Sequence, residues 1–244
     1  MTSLSAGEIR GLVQPDRVHR RVYSDPAIFE LEMARIFGRA WLYVAHESQL
    51  RRPGDFLRSR LGRHEVLVTR DGEGGFHVLH NRCAHRGAQL CVTAQGNTRS
   101  FLCPYHGWSF RADGGLEGLP HRRSYPADFR LDDPANALTR APRVASYRGF
   151  IFASLAADGP SLTEFLGPMT EAFDNLIDRA PDGEIELADS SFQLEYRGNW
   201  KIHHENANDV FHPGFVHQSS VATAGAAAPA ASAFDEGQKR EMLL

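Results

Sequence analysis

Apolar residues recur through residues 161–180 at the spacing of one helix face: Leu162, Phe165, Leu166, Met169, Phe173, Leu176 and Ile177. A stripe at a 3.6-residue period predicts a helix with one buried side. Ser161 and Glu164 make a capping box at its start, and Pro181-Asp182-Gly183 ends it. A second helix is predicted over residues 24–38, with Asp25 as N-cap, Pro26 at the first helical position and Gly38 at the end. Ile28, Leu31, Met33 and Phe37 give it apolar surface for packing. Between the helices the pattern changes to short β-rich runs: WLYVA, GDFLRSRLG, HEVLVTR, FHVLHN and YRGFIFASL. Asp71-Gly72-Glu73-Gly74-Gly75 separates two of them; no Lys-Ser/Thr follows, so it reads as a hairpin turn and not a phosphate loop. After residue 182, EIELADSSFQLEYRG reads as one or two strands of a second unit. Residues 222–233 hold eight alanines, with Gly225 and Pro229 breaking any helix. The predicted organisation is a helical segment over 1–40, a β-rich domain over 41–157, a connecting helix and linker over 158–183, and a partial second domain with an alanine-rich tail over 184–244.

Composition narrows the function. The 244 residues carry 27 Lys plus Arg against 30 Asp plus Glu, a net charge of −3. That balance does not predict binding to nucleic acid or to an anionic membrane. No run of 18 apolar residues predicts a transmembrane helix. MTSLSAGEIR contains a Glu and lacks an apolar core, so no secretory signal is read there. Three cysteines are too few for a disulfide scaffold, and a reduced, cytoplasmic setting is expected. Nine of the twelve histidines fall in two stretches, 77–121 and 203–217, and all three cysteines fall in the first. Ligand histidines cluster where structural ones scatter, so two metal sites are expected, one with sulfur and one without.

The first constellation is Cys83-x-His85 and Cys103-x-x-His106, two Cys-plus-His pairs on two short loops. Thiolate and imidazole suit zinc or iron–sulfur chemistry. A structural zinc would gather all four donors tetrahedrally. A Rieske [2Fe-2S] cluster places two Cys on one iron and two His on the other. The neighbours favour the cluster. Gly87 and Gly107 let backbone approach it, Pro104 stiffens the second loop, and Trp108 can cover one side. Cys91 falls outside both pairs and is read as a small buried residue. His77, His80 and His121 lack motif spacing and are read as structural or exposed, and Arg86 as a hydrogen-bonding support of its loop. The string C-x-H-R-G-A…C-P-Y-H-G-W resembles the Rieske domain of ring-hydroxylating oxygenase large subunits. Neutral imidazoles carry less negative charge than thiolates, which raises such a cluster to roughly −150 to +300 mV, against about −400 mV for all-Cys clusters.

The second constellation is Asp209, His212 and His217 in NWKIHHENANDVFHPGFVH. On a helix Asp209 and His212 share a face, and Pro213-Gly214 would bend the chain so that His217 turns back. Two histidines and a carboxylate form the facial triad of non-haem iron(II), which keeps open positions for oxygen and substrate. On these residues alone, iron binding and a helix with incidental histidines both stand. E-N-x-N-D-x-x-H-P-x-x-x-H also resembles the mononuclear-iron segment of the same oxygenases. That resemblance implies that His212 and His217 hold iron and that Asp209 bridges to His106 of a neighbouring subunit. Asn206 is placed near the iron, and Glu205 and Trp200 as supports of the helix. Val210, Phe211 and Phe215 fit a pocket or a core equally, and His203 and His204 fit surface or outer roles.

The resemblance covers about residues 18–221. It implies an α+β fold: a β-rich Rieske [2Fe-2S] domain plus the first part of a helix-grip-like catalytic domain, to which the 1–40 segment also belongs. The implied activity is that of a terminal oxygenase using O2 and electrons from NAD(P)H, through a flavin/iron–sulfur reductase with or without a ferredoxin. An aromatic substrate would be hydroxylated, commonly to a cis-dihydrodiol, with demethylation or hydroxylation of a non-aromatic amine as the alternative. A homotrimer or an α3β3 assembly is implied. In the family the third iron ligand is a carboxylate far downstream, and Asp235, Glu236 and Glu241 do not stand at its spacing. The expectation is therefore a fragment, a split subunit or a degenerate protein. The rival functions are a Rieske electron carrier without oxygenation and a zinc-stabilised binding module.

Overall fold

The computed structural model describes residues 4–187 and 194–227. The chain divides into two compact units, Pro26–Gln193 and a smaller one joining Met1–Asp25 to Leu194–Leu244.

The smaller unit opens with α1 (Ala6–Arg10), the antiparallel pair β1 (Val13–Gln14) and β2 (Arg17–Val18), and α2 (Arg21–Ser24). The larger unit begins with α3 (Pro26–Glu32), which widens into a π-helical turn at Met33–Phe37 and stops at Gly38. The predicted 24–38 helix is present in extent; its last turn is wider than a 3.6-residue period foresees.

Ten strands follow: β3 (Leu42–His46), β4 (Asp55–Leu61), β5 (His64–Arg70), β6 (Phe76–His80), β7 (Gln95–Asn97), β8 (Ser100–Leu102), β9 (Ser109–Arg111), β10 (Leu116–Gly118), β11 (Arg143–Tyr147) and β12 (Phe150–Ser154). They build three antiparallel sheets, ordered β6-β5-β4-β7, β10-β9-β8 and β11-β12-β3. All five predicted runs are strands. The three-residue strands β7 to β10 are too short to show a period.

Strand β5 explains where the core sits. Val66, Leu67, Val68 and Thr69 are buried in succession. Alternation sends Val66 and Val68 into one cluster with Val44, Leu61, Val78 and Ile151. It sends Leu67 into another with Leu79, Phe110, Trp108, Cys83 and Cys103. A strand covered on both faces reads as a continuous apolar run. The turn after β5 is the expected hairpin: the Asp71 carboxylate accepts from the Glu73 and Gly75 amides and contacts His77 Nε2 at 2.7 Å.

The predicted 161–180 helix is two helices, α4 (Leu162–Leu166) and α5 (Met169–Ile177). The Ser161–Glu164 capping box is formed. Gly167 at φ +49° and Pro168, which has no N–H to donate and crowds the residue before it, break the run. The apolar stripe continues across the break, with Leu162 and Ile177 buried.

Beyond residue 183 two expectations change. Residues 184–187 and 194–198 carry no strand, and residues 188–193 lie outside the described residues. Three helices follow: α6 (Trp200–Asn208), α7 (His212–Val216) and α8 (Gln218–Ala227). Gly225 lies inside α8 and does not end it. One glycine costs a helix only about 1 kcal/mol against alanine, which its alanine neighbours offset. Pro229 lies outside the described residues. Among the described residues no helix is long and apolar enough to cross a membrane.

Candidate metal centres

Two loops of the larger unit repeat one backbone pattern. In the loop after β6, the Cys83 amide donates to Ala88 O at 2.8 Å and the Gly87 amide to Cys83 O at 2.9 Å. In the loop between β8 and β9, the Cys103 amide donates to Trp108 O at 2.8 Å and the Gly107 amide to Cys103 O at 3.0 Å. Each loop turns at a glycine in the left-handed region, Gly87 at φ +73° and Gly107 at φ +70°. A β-carbon at Gly87 would meet Arg82 Nε at 2.6 Å, and one at Gly107 would meet Pro120 Cγ at 2.7 Å. Glycine takes both dihedrals without strain, and at Gly107 it also leaves room for the Pro120 ring.

The loops deliver their donors in two like pairs. Cys83 and Cys103 are free, 3% and 2% exposed, and their sulfurs lie within hydrogen-bonding reach of one another. Burial pushes the Cys83 thiol above its ordinary range; the His85 and Arg86 amides directed at the sulfur oppose that, while Cys103 beside it adds to it. The His85 and His106 rings stand 4.7 Å apart at 76°, with His85 exposed at the surface. Burial, then His106 and Arg86, lower the His85 pKa. Trp108 stacks on His85, and its Nε1 donates to the Tyr125 hydroxyl at 3.1 Å.

Among the described residues no three His, Cys, Asp or Glu side chains converge as ligands of a single ion. A zinc site would need four donors around one point. A buried thiol pair beside an imidazole pair fits the two irons of a [2Fe-2S] cluster, one pair to each.

The neighbouring residues sort as follows. Cys91 is half-buried, and its thiol lies 3.7 Å from Thr93 O. His77 serves the hairpin, His80 is half-buried against His64, and His121 is exposed. The Arg86 guanidinium lies over the Tyr105 ring at 5.8 Å, so its loop-supporting hydrogen bond comes from the backbone instead of the side chain. Tyr125 was not legible as part of the site: it lies outside the motif, and only the fold brings it to Trp108.

The second group lies in the smaller unit. Asp209 and His212 do not share a helix face, because α6 ends at Asn208 and α7 begins at His212. Asp209 Oδ1 instead accepts from the Phe211 amide at 2.8 Å and the His212 amide at 3.4 Å, making a tight turn. The Phe211 amide is the main influence holding the Asp209 carboxyl below its usual range. Asp209 Oδ2 lies 3.5 Å from His212 Nδ1, a buried nitrogen with no hydrogen bond. Pro213 and Gly214 lie within α7 and do not bend the chain; one helical turn, with the His217 amide donating to Pro213 O at 3.1 Å, brings His217 round. The His212 and His217 rings are 5.5 Å apart at 72°. Two converging imidazoles, one backed by a carboxylate, fit a borderline metal ion such as iron(II). No third donor joins them among the described residues.

Around this pair, Asn206, His203 and His204 are exposed. Val210, Phe211 and Phe215 are 69%, 63% and 74% exposed. Lys201 lies over the Trp200 ring, and Glu205 accepts a hydrogen bond from Tyr23, a residue that no motif marked. Asp235, Glu236 and Glu241 lie outside the described residues.

A β-rich unit with paired Cys–His loops defines a Rieske iron–sulfur protein, and residues 40–147 match the Rieske [2Fe-2S] domain family. The chain is 41% identical over 211 residues to the 2-halobenzoate 1,2-dioxygenase large subunit of Burkholderia cepacia, covering 86% of this chain and 45% of that one. It is 43% identical over 199 residues to the N,N-dimethyl phenylurea N-demethylase subunit alpha of Sphingobium sp. (strain YBL2), covering 81% and 43%. The structure of naphthalene 1,2-dioxygenase from Rhodococcus sp. bound to indole superposes with a TM-score of 0.81 at 32% identity, covering 89% of this chain and 51% of that one. Residues 40–147 thus form a Rieske [2Fe-2S] domain, and the chain is homologous to the large subunits of aromatic ring-hydroxylating dioxygenases, with a mixed α+β fold like theirs. It spans about half the length of the curated relatives it matches.

Proposed function

We propose that this chain supplies the electron-entry domain and two iron-binding histidines of a terminal oxygenase that hydroxylates an aromatic ring. The observation that carries the reading is the repeated loop, which delivers a buried thiol pair and an imidazole pair of which His85 is exposed and His106 half-buried. Cys83 and Cys103 would hold one iron of the cluster, and His85 and His106 the other. His212 and His217 would hold the mononuclear iron(II). When bound, the cluster supplies one-electron transfer, and the mononuclear iron supplies a site for O2.

The chain's own residues set the conditions for that chemistry. Burial of the thiols keeps water from the sulfur side, while the imidazole edge faces outward, where electrons can enter and leave. Trp108 shields one face of His85. Asp209 acts beside His212 and, in an assembled oligomer, would accept a hydrogen bond from His106 of a neighbouring copy, linking the two centres. A short bonded route between imidazoles favours electron transfer and couples it to a proton. The assembly would be a homotrimer or α3β3 in the cytoplasm, reduced by an NAD(P)H-dependent flavin/iron–sulfur reductase, directly or through a ferredoxin.

The relative that acts on a halobenzoate supports an aromatic acid as substrate and cis-dihydroxylation as outcome. The similarity to an N-demethylase of a phenylurea supports a second reading, oxidative removal of an N-methyl group from an aryl-substituted urea. The deciding measurement is iron and acid-labile sulfide per chain, on protein purified without oxygen and loaded with iron(II). About three irons to two sulfides is expected with both centres formed. About two irons to two sulfides would reduce the reading to a Rieske electron carrier, and zinc without sulfide would overturn it.

A further inference from the structure

Helix α6 ends where Asp209 begins its turn, and only its first two residues, Trp200 and Lys201, are half-buried. None of its nine residues is buried. An isolated helix of that length is marginal in water, so contacts from outside it help to fix its direction. Tyr23 does so at two points. Its hydroxyl donates to Glu205 Oε1 at 2.8 Å, and its carbonyl accepts from Asn199 Nδ2 at 2.9 Å. Asn199 is the N-cap of α6, and its Oδ1 accepts from the Lys201 amide at 3.1 Å. One amide side chain thus caps the helix and ties it to Tyr23. Glu205 stands one turn before Asp209, the extended residue that closes the helix. The hydrogen bond to Glu205 pushes the Tyr23 phenol above its ordinary range, so the hydroxyl keeps its proton and remains a donor. All these contacts lie inside the smaller unit.

We infer that Tyr23 is a positioning residue for the His212–His217 centre: it holds α6 at its cap and at Glu205, and so sets where Asp209 meets His212. The inference rests on the reading of His212 and His217 as metal-holding residues. A phenylalanine at 23 would keep the ring and lose the bond to Glu205. The helix would then swing, the Asp209 turn would move with it, and the 3.5 Å approach of Oδ2 to His212 Nδ1 would change. Carboxylates that orient a ligand imidazole tune metal affinity without touching the metal.

The test is cobalt(II) titrated into the 244-residue protein with its iron–sulfur cluster assembled, followed by visible ligand-field bands. Wild type should bind cobalt(II) in a way that His212→Ala abolishes. Tyr23→Phe should weaken that binding by about three- to tenfold and shift the bands, with the cluster absorbance unchanged. Glu205→Ala should match it, and the double variant should be no weaker than either. Glu205→Gln keeps an acceptor and should stay within about twofold of wild type. Tyr23→Phe binding as wild type does, additive effects in the double variant, or loss of the cluster together with cobalt(II) would each overturn the positioning role. Wild-type binding that ignores His212→Ala would instead overturn the underlying reading of the metal centre.

Discussion

The His85 and Trp108 rings lie 10° from parallel with 4.9 Å between their centroids. The imidazole is at the surface, while the indole is 4% exposed and is held from behind by the Tyr125 hydroxyl. A surface donor is thus given a fixed orientation by a buried partner. Trp108→Ala should cost about 3–5 kcal/mol, as large-to-small core changes do. Tyr125→Phe should cost about 1 kcal/mol, the worth of one hydrogen bond. Urea unfolding followed by circular dichroism and by cluster absorbance checks both; equal losses would refute the supporting role given to Tyr125.

Gly107→Ala and Gly87→Ala should differ despite nearly equal φ. Both force an L-residue into the left-handed region, at a cost of about 1–2 kcal/mol. At Gly87 the obstructing atom is the end of the Arg82 side chain, which can move. At Gly107 it is the Pro120 ring, which cannot swing away. Gly107→Ala should therefore assemble less cluster, measured as sulfide per chain; the reverse order would show that Arg82 is fixed.

Asp71 gives the β5–β6 hairpin a pH dependence. Burial alone would raise its carboxyl, but the hydrogen bonds from His77, Gly75 and Glu73 outweigh it and hold it below the usual range. A depressed folded-state pKa adds stability above the unfolded value of about 3.9, lost as pH falls through the folded value. The stability gap between wild type and Asp71→Asn should be full at neutral pH and should close below about pH 3.9. Urea midpoints across that range check it; a constant gap would mean the ionised form is not what matters.

Asp209→Asn should stop turnover while leaving the cluster spectrum unchanged, because Asp209 is exposed and lies outside the unit that carries the cluster loops. Substrate-dependent O2 uptake and visible absorbance on the same sample check it. Loss of the cluster in this variant would sink the proposed linking role.

The sequence made the donors legible because the chemistry needs those residue types at short spacing on tight loops. Cys83, His85, Cys103 and His106 could be read together for that reason, and the five β-rich runs could be read as strands. The backbone between donors was less legible. Asp209 and His212 were expected on one helix, yet a carboxylate-capped turn intervenes, since Asp serves a cap as readily as a helix face. The 161–180 stripe concealed the break at Gly167-Pro168 because apolar spacing survives a kink. Tyr23 and Tyr125 were invisible because their partners lie far along the chain, and no local pattern records such contacts.

The two thiols hang from different sheets. Cys83 follows β6 of the four-stranded sheet, and Cys103 follows β8 of a three-stranded one. They can meet only after the sheets have docked, so the socket is a product of tertiary folding. An inorganic bridge between them would then act on the chain as a cross-link does, closing a loop of intervening residues and restricting the denatured ensemble. The brown colour of the finished protein would thus report that two sheets, far more than two cysteines, have found one another.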